Sequence, residues 1–297
     1  MLIDSFLDYL QFERNYSRCT IISYSNDLHQ FEDFVKEKKE GIFDPVEVDA
    51  DIVRQWMMSL LDKGMAASSV NRKLSSLKSF FKFLKRGQIV SSDPLHFLAG
   101  PKKKKPLPVF VKDDDMEMLL DSDGFGNDFE GIRNQLILEI LYETGIRRFE
   151  LLGLRDVDID FAARQLKVTG KRNKQRLIPF AERLEDLIRA YLEMRNRECG
   201  KTETFLVRED GTPMSAEMVY KIVRSHLSTI PTLSKCSPHV LRHSFATSML
   251  NNGAELKSVK ELLGHASLAS TSIYTHTTFE ELKKVYHAHP RAKKEGG

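Results

Sequence analysis

Residues 237–243 read SPHVLRH, and residues 263–265 (LGH) and a single Tyr274 follow them. This segment combines imidazoles, a guanidinium and a phenol, with no cysteine or carboxylate cluster beside them that could hold a metal. A phenol is a poor nucleophile at neutral pH, so a site built around one needs a base to take its proton and cations to stabilise negative charge. Two such cations lie upstream, at Arg147 and Lys171. The set suggests metal-free phosphoryl transfer through a phosphotyrosine.

The start of the segment is typical of a helix N-terminus. Ser237 suits the N-cap and Pro238 the first helical position. His239 and Arg242 then lie three residues apart in the first turn, on one side of the helix. Because the free N–H groups and the dipole of a helix N-terminus favour an anion, a phosphate placed there would meet both side chains together.

The composition is that of a globular protein, with 41% hydrophobic and 29% charged residues in a chain of 297, long enough for two domains. No apolar run is long enough to span a bilayer, and residues 1–4 show no basic export signal, so we expect a cytoplasmic protein. Three scattered cysteines fit a reducing compartment and argue against a disulfide framework or a zinc site. The net charge of +3 is a weak argument for nucleic acid, but the basic residues cluster at 72–86, 102–105, 171–176 and 283–294.

The first hundred residues have apolar spacings that predict helices, and the fourth helix, from about 68 to 86, carries an unusual polar stripe. Its apolar face comprises Val70, Leu74, Leu77, Phe81 and Leu84. Its flanking stripe comprises Asn71, Ser75, Lys78, Lys82 and Arg86, and no aspartate or glutamate occurs in this helix. The stripe is either a solvated basic face or a surface that lies along DNA, with phosphate contacts from the cations and base contacts from Asn71.

A basic, proline-bounded segment at 100–108 is predicted to be a linker that also straps a phosphate backbone. After it, residues 132–144 are predicted to form a helix that Gly145 ends. Residues 156–161, 165–170 and 175–180 are predicted to form an antiparallel sheet, with Val157 on the buried face of its first strand and Lys171 in the turn between the other two. The fold class is therefore mainly α with a small antiparallel β-sheet.

The sequence resembles the tyrosine recombinase (phage integrase) family, in particular its Xer type. The resemblance lies in ordered boxes and extends over essentially the whole chain. The boxes are residues 142–151 (YETGIRRFEL), 170–177 (GKRNKQRL), 239–247 (HVLRHSFAT), 262–267 (LLGHAS) and 273–276 (IYTH). Two departures, Arg148-Phe149 before the glutamate of the first box and Ser248 where Xer-type members often carry a histidine, bear on specificity and touch no reacting position.

The resemblance implies a catalytic set comprising Arg147, Lys171, His239, Arg242, His265 and Tyr274. The tyrosine attacks the scissile phosphate and becomes joined to the 3′ end, while the two arginines bind the non-bridging oxygens. The lysine protonates the departing 5′ oxygen, the first histidine accepts the tyrosine proton, and the second orients the phosphate. Glu150 is expected to support this set, and no cofactor or metal is expected, because the arginines supply the charge that a magnesium ion would otherwise bring.

The resemblance also implies the domain organisation and the partners. A helical, SAM-like core-binding domain (1–100) would clamp DNA, a basic linker (101–108) would follow, and a mixed α/β catalytic domain would occupy 109–297. Expected DNA contacts are Asn71, Arg72, Ser75, Lys78, Lys82, Lys103, Arg172 and Lys174. The expected partners are double-stranded DNA with a specific recombination site and a homo- or hetero-tetramer with a paralogous recombinase, in which the tail at 286–291 docks on a neighbouring protomer. Whether a septal DNA translocase also acts on the chain stays open, and no membrane partner is expected.

The predicted function is therefore site-specific recombination through a 3′-phosphotyrosine and a Holliday junction, for chromosome or plasmid dimer resolution. Four other functions are compatible with parts of the sequence. A mobile-element integrase of the same family differs in the sites it joins, and a type IB topoisomerase shares the chemistry but acts as a monomer without a defined site. A catalytically silent DNA-binding protein conflicts with the intact cations and tyrosine, and a metal-dependent nuclease conflicts with the dispersed acids.

Overall fold

The computed structural model describes residues 2–39, 41–102, 109–170, 173–264 and 284–292. The chain divides into two compact units, Met1–Pro106 and Leu107–Gly297. Because most of the predicted 101–108 linker lies outside the described residues, its bounds stay a prediction. No helix within the described ranges combines the length and the apolar character needed to cross a membrane.

The N-terminal unit is helical, as the apolar spacings predict. Its elements are α1 (Leu2–Asp8), extended by a π-helical turn (Tyr9–Glu13), α2 (Arg18–Lys39), α3 (Ala50–Asp62) and α4 (Ala67–Arg86). The Asp49 side chain caps α3 by accepting from the Ile52 N–H at 2.8 Å, and Gly64, with φ of +77°, adopts the left-handed conformation just after the helix ends.

The core of this unit forms around α4. All five side chains of its predicted apolar face are buried, at 0–4% exposed. Trp56 of α3, 1% exposed, lies in the same core and meets Phe31 of α2 edge to face at 5.0 Å. The helical period of the sequence therefore predicts the packing of α4 correctly.

The second unit adds further helices around a small sheet. The helices are α5 (Asp113–Leu120), α6 (Phe129–Thr144), α7 (Arg148–Leu152), α8 (Glu182–Glu198), α9 (Ala216–Leu227), α10 (Pro238–Asn251) and α11 (Leu256–Leu263). Helix α6 is the central one, since every residue from 136 to 144 is buried and it packs against both α8 and α10. Gly145 ends it in the left-handed conformation, with φ of +61°, as predicted.

The sheet contains β1 (Ile159–Asp160), β2 (Gln165–Thr169) and β3 (Gln175–Pro179), antiparallel in that order. The prediction of a strand from 156 to 161 was wrong in its first half, where residues 156–158 form a 3₁₀ turn. Val157, predicted to be buried, is 75% exposed, and Asp158 is buried instead. The reason is that the Asp158 carboxylate accepts hydrogen bonds from the backbone N–H and the side chain of Arg155, which turns the acid inward.

The segment 284–292 packs against α6 of the same chain. Arg291 pairs with both oxygens of Glu139 at 2.8 and 2.9 Å, and the Tyr286 hydroxyl donates to Glu143. Burial, followed by the nearby charge of Glu139, raises the pKa of Glu143 to about 8. Burial lowers the pKa of His289, which is fully enclosed beside Tyr286, to about 3. The tail that was predicted to dock on a neighbour is, in the single chain, buried against its own helix.

Candidate active site

Arg147 follows the left-handed turn at Gly145 and is the N-cap residue of α7. Its backbone N–H and its Nη1 both donate to the Glu150 carboxylate, each at 2.8 Å. Glu150 stands three residues into α7, where an acid reaches back to the helix start and is favoured by the helix dipole. The guanidinium of Arg147 is therefore oriented by its own helix while its side chain stays partly exposed.

Glu150 is held in turn by Arg176 of β3. The Nη1 and Nη2 of Arg176 donate to the two carboxylate oxygens at 3.0 and 2.9 Å, and both side chains are about 5% exposed. Burial alone would raise the pKa of Glu150, but the hydrogen bonds and charge of Arg176, followed by those of Arg147, outweigh it and hold the pKa at about 2. The acid is therefore an anion throughout the neutral range.

Arg242 lies on α10 and is fixed by neutral groups instead. Its Nη1 donates to the Gly145 carbonyl and its Nη2 to the Leu263 carbonyl, both at 2.6 Å. These carbonyls stand at the C-terminal ends of α6 and α11, where the helix dipoles favour a cation. Burial, together with the positive charges of Arg147 and Arg176, lowers the pKa of Arg242 to about 10, so it remains protonated at neutral pH.

His239 is exposed on the first turn of α10, one turn before Arg242. Helix α10 begins at Pro238 with Ser237 at the N-cap position, as predicted, although the Ser237 side chain makes no capping hydrogen bond. The anion site predicted at this helix start, with His239, Arg242 and the free backbone N–H groups as donors, stays a prediction.

Three predicted catalytic residues, Lys171, His265 and Tyr274, lie outside the described residues. The residues that precede two of them are described, and both approach the Arg176–Glu150 pair. A Cβ added at Gly170 would stand 3.1 Å from a Glu150 oxygen, and one added at Gly264 would stand 3.1 Å from Arg176 Nη1. Gly264 ends α11 with φ of +65°, and Gly170 closes the hairpin by donating to the Lys174 carbonyl at 2.8 Å.

The structure thus brings together Arg147 and Arg242, and it adds Arg176, which the sequence reasoning did not select. A sequence signal for it existed. Arg176 alternates with Ile178 on the strand, so the period of β3 places a charged side chain on the buried face. Glu150 and Arg176 are paired across 26 residues of sequence, and this partner could not be identified from the motif alone.

The DNA contacts predicted on α4 stay predictions, and the structure shows how their side chains are held within the N-terminal unit. Asp27 of α2, 1% exposed, accepts from Nη1 and Nη2 of Arg72 and forms a 2.9 Å pair with Lys73. The Asn71 amide donates to the carbonyls of Ala67 and Pro101, at 2.7 and 2.8 Å.

The remaining predicted contacts differ in what surrounds them. Lys78 Nζ donates to the Leu98 carbonyl at 2.7 Å. Ser75 donates to the Asn71 carbonyl, and Lys82 is exposed. Lys174 of the second unit is exposed. Lys103 and Arg172 lie outside the described residues.

Comparison with known proteins gives a family match for each of the two units. Residues 3–88 match the N-terminal SAM-like domain of phage integrases, and residues 110–281 match the phage integrase family itself. The chain is 40% identical over 295 residues to the tyrosine recombinase XerC of Psychromonas ingrahamii, with 99% of this chain and 97% of the relative covered. It is 38% identical over 317 residues to the XerC of Chlorobaculum parvum, with 98% and 94% covered.

Solved structures show the same fold. A post-cleavage complex of the XerH site-specific recombinase with a palindromic difH substrate aligns with a TM-score of 0.71 at 24% identity, covering 96% of this chain and 84% of that one. The Tn1549 transposon integrase bound to transposon right end DNA also gives 0.71, at 19% identity, covering 95% and 98%. With both units matched and relatives of this identity spanning nearly its whole length, the chain belongs to the phage integrase family, the tyrosine recombinases.

Proposed function

We propose that this tyrosine recombinase cuts and rejoins a specific DNA site through a covalent 3′-phosphotyrosine and a Holliday junction, and that it thereby resolves chromosome or plasmid dimers. The observation that carries the chemistry is the arginine cluster. Arg147, Arg176 and Arg242 carry three positive charges, and Glu150 is the carboxylate placed among them. A cluster with surplus positive charge suits a phosphate whose negative charge increases in the transition state.

Arg147 and Arg242, the partly exposed arginines of this cluster, are the ones that meet the phosphate. Arg147 and Arg242 bind the two non-bridging oxygens of the scissile phosphate through rigid, forked donors. Arg242 is already anchored by two backbone carbonyls, so little side-chain freedom is lost when the phosphate binds. His239, exposed on the same helix, accepts the proton of the attacking tyrosine.

The other reacting groups are assigned by the family resemblance. Tyr274 attacks the phosphorus, its phenolic proton passes to His239, and a covalent O–P bond to the 3′ end forms as the bond to the 5′ oxygen breaks. Lys171 delivers a proton to that departing oxygen, and His265 donates a hydrogen bond to the phosphate. The positions of Gly170 and Gly264 beside the Arg176–Glu150 pair support the placement of Lys171 and His265 near this cluster.

The direct test uses a suicide DNA substrate, nicked next to the scissile phosphate, in the presence of EDTA. The site is first obtained by selecting bound duplexes from a random library. We expect a covalent protein–DNA band on a denaturing gel that Tyr274→Phe abolishes without loss of DNA affinity, whereas the matched control Tyr16→Phe in the N-terminal unit keeps it. A Tyr274→Phe protein that still forms the band would refute the nucleophile assignment, and a band that depends on added metal would refute the metal-free mechanism.

The role of Lys171 has its own test. A 5′-phosphorothiolate substrate replaces the departing oxygen by sulfur, which leaves without needing a proton. Lys171→Ala should cleave the ordinary substrate slowly and the sulfur substrate at a rate close to that of the wild-type chain. An equal defect on both substrates would assign another task to the lysine.

We further propose that the chain works in the cytoplasm on double-stranded DNA, with residues 1–100 as a clamp, and that four protomers, its own copies or those of a paralogue, form the synaptic complex. In that assembly the tail would pass to a neighbour, which requires the Arg291–Glu139 pair to open first. Sedimentation of the chain on synapsed DNA, alone and with a paralogue, tests the tetramer. A requirement for a septal DNA translocase would show in the same mixture as recombination that begins only when the translocase is added.

Dimer resolution is preferred to mobile-element integration because relatives covering nearly the whole chain at 38–40% identity are named XerC. The transposon integrase, at 19% identity, shares the fold alone. A plasmid dimer carrying two sites separates the two functions. Efficient conversion to monomers supports dimer resolution, whereas insertion of a circular element into a second, unlike site without resolution would support the integrase.

A further inference from the structure

Arg176 has no role in the mechanism above, yet it is the most fully engaged side chain of the cluster. It lies on β3 opposite Val168 of β2 and is 6% exposed. Besides its paired hydrogen bonds to Glu150, its Nε donates to the Leu262 carbonyl at 2.7 Å. An arginine buried with all three nitrogens engaged is held in one orientation.

The partner of Arg176 is the acid that orients Arg147. Glu150 uses Oε1 to accept from both arginine side chains, at 2.8 and 3.0 Å. Its Oε2 accepts from the Arg147 backbone N–H and from Arg176 Nη2, at 2.8 and 2.9 Å. If Arg176 were lost, Glu150 would lose two of these four donors and with them the contacts that fix the plane of its carboxylate.

The third bond of Arg176 reaches the end of α11. Leu262, whose carbonyl accepts from Arg176, is followed by Leu263, whose carbonyl accepts from Arg242. Arg176 therefore fixes the carboxylate that orients Arg147 and also the peptide next to the one that anchors Arg242. Of the two arginines predicted to bind the phosphate, Arg147 thus contacts Glu150, and Arg242 contacts the residue after Leu262.

A lysine at position 176 could not make the same set of hydrogen bonds. The planar guanidinium of Arg176 donates in three directions, to two carboxylate oxygens and one carbonyl. An ammonium group donates from a single atom and cannot hold a carboxylate by both oxygens in a fixed plane. The orientation of Glu150 thus depends on the fork and not only on the charge.

We infer that Arg176 is a positioning residue for phosphoryl transfer, which acts through Glu150 to set the guanidinium of Arg147 against the non-bridging oxygen. The inference rests on the proposed function. It predicts a specific kinetic pattern, because DNA is held by many contacts whereas cleavage requires Arg147 in one place. A displacement of about 1 Å at a catalytic group reduces a rate on the order of 100-fold.

The test compares Arg176→Lys with Arg195→Lys in the full chain. Arg195 is an internal control of the same kind, because it is 0% exposed, pairs with both oxygens of Asp156 at 2.8 and 2.7 Å and donates to the Phe205 carbonyl. Within the described residues, no hydrogen bond joins Arg195 or Asp156 to the arginine cluster. We expect both variants to lower the melting temperature, and only Arg176→Lys to slow single-turnover cleavage of fully bound suicide substrate about 100-fold at unchanged DNA affinity.

A second variant and a second substrate locate the effect. Glu150→Gln keeps the side-chain size but removes the anion, and it should reproduce the slow cleavage at unchanged affinity. The Arg176→Lys defect should persist on the 5′-phosphorothiolate substrate, because that sulfur replaces the need for Lys171 and not for Arg147. A defect that disappears on this substrate would overturn the route through Arg147.

The outcomes separate the inference from the proposed function. If the wild-type chain forms no covalent band with its selected site, the proposed function fails. If the wild-type chain cleaves and Arg176→Lys cleaves its bound DNA at the same rate, or if Arg195→Lys loses as much cleavage as Arg176→Lys, the positioning role fails alone.

Discussion

Substitution of Gly145 by alanine should damage both the stability of the second unit and its site. Gly145 has φ of +61°, and an added Cβ would stand 2.5 Å from Phe245 Cδ1 and 2.9 Å from Leu263 Cδ2. Real Cβ contacts are not that short, so one of these buried side chains must move. Leu263 matters most, because its carbonyl anchors Arg242, and so does that of Gly145 itself.

The expected cost has two parts. An alanine in the left-handed region is strained by about 1–2 kcal/mol. Forcing an extra methyl group into a packed core costs about 1–3 kcal/mol more. Together Gly145→Ala should lower the free energy of unfolding by about 2–5 kcal/mol, which is a large part of the stability of an ordinary domain.

Gly253→Ala is the matched control. Gly253 also has a positive φ, +87°, but a Cβ added there would meet nothing within 4 Å. Its cost should be the backbone strain alone, about 1–2 kcal/mol. The difference between the two variants therefore isolates the steric contact with Phe245 and Leu263.

The assay is denaturant unfolding of the full chain with two probes. Trp56 is the single tryptophan of the protein and is buried in the N-terminal unit, so its fluorescence reports that unit, whereas far-UV circular dichroism reports both. Gly145→Ala should shift the dichroism transition and leave the tryptophan transition in place, with slower cleavage of bound substrate. If Gly145→Ala is no less stable than Gly253→Ala, or if it cleaves normally, the packing argument at this turn is wrong.

Three further predictions follow from buried charges. The raised pKa of Glu143, about 8, makes the folded chain bind more protons than the unfolded chain from about pH 4.5 to 8. The lowered pKa of His289 opposes this effect only below the ordinary histidine pKa near 6.5. The melting temperature should therefore fall from pH 6.5 to 8.5. Glu143→Gln should flatten that slope, and an unchanged slope would contradict the assignment. Asp27→Ala leaves Lys73 buried without its carboxylate and should lower the stability seen by tryptophan fluorescence by about 3–5 kcal/mol, whereas Glu32→Ala, which breaks a more exposed pair with Lys36, should cost at most about 1 kcal/mol. Arg242→Lys cannot span its two carbonyl acceptors and should slow cleavage of bound DNA about 100- to 1,000-fold with DNA still retained, so loss of affinity alone would make it a binding residue only.

The periodicity of the sequence correctly predicted the features that depend on the packing of apolar side chains. The apolar face of α4 is buried as its 3.6-residue spacing requires, and the glycine at 145 ends α6 where its sequence position indicated. The alternation of apolar and polar residues predicted the wrong side for Val157, because local hydrogen bonds between Arg155 and Asp158 decide the conformation there. Asp158 gains the N–H of Arg155 by turning inward, and the exposed valine is the consequence.

Charged side chains were harder to predict, because their partners lie far apart in sequence. The basic stripe of α4 was interpreted from the absence of acids within that helix, but Asp27 of α2, 45 residues before Arg72, pairs with Arg72, a predicted DNA contact next to the stripe. Arg176 was passed over for the same reason, since a lone arginine in a strand gives no indication of the glutamate it meets. The family motif predicted the residues that would bind the phosphate, and the fold shows which residues hold two of them, Arg147 and Arg242.

The way in which Arg147 and Arg242, the two arginines proposed to bind the phosphate, are held has a consequence for charge. Arg147 shares the Glu150 carboxylate with Arg176, so one negative charge serves two cations. Arg242 is anchored by carbonyls, which orient a guanidinium without neutralising it. The price is visible in its lowered pKa, since burial and the neighbouring arginines both disfavour the cation. In the proposed mechanism a scissile phosphate would relieve that repulsion, most of all when negative charge accumulates on its non-bridging oxygens in the transition state, where stabilisation accelerates the reaction.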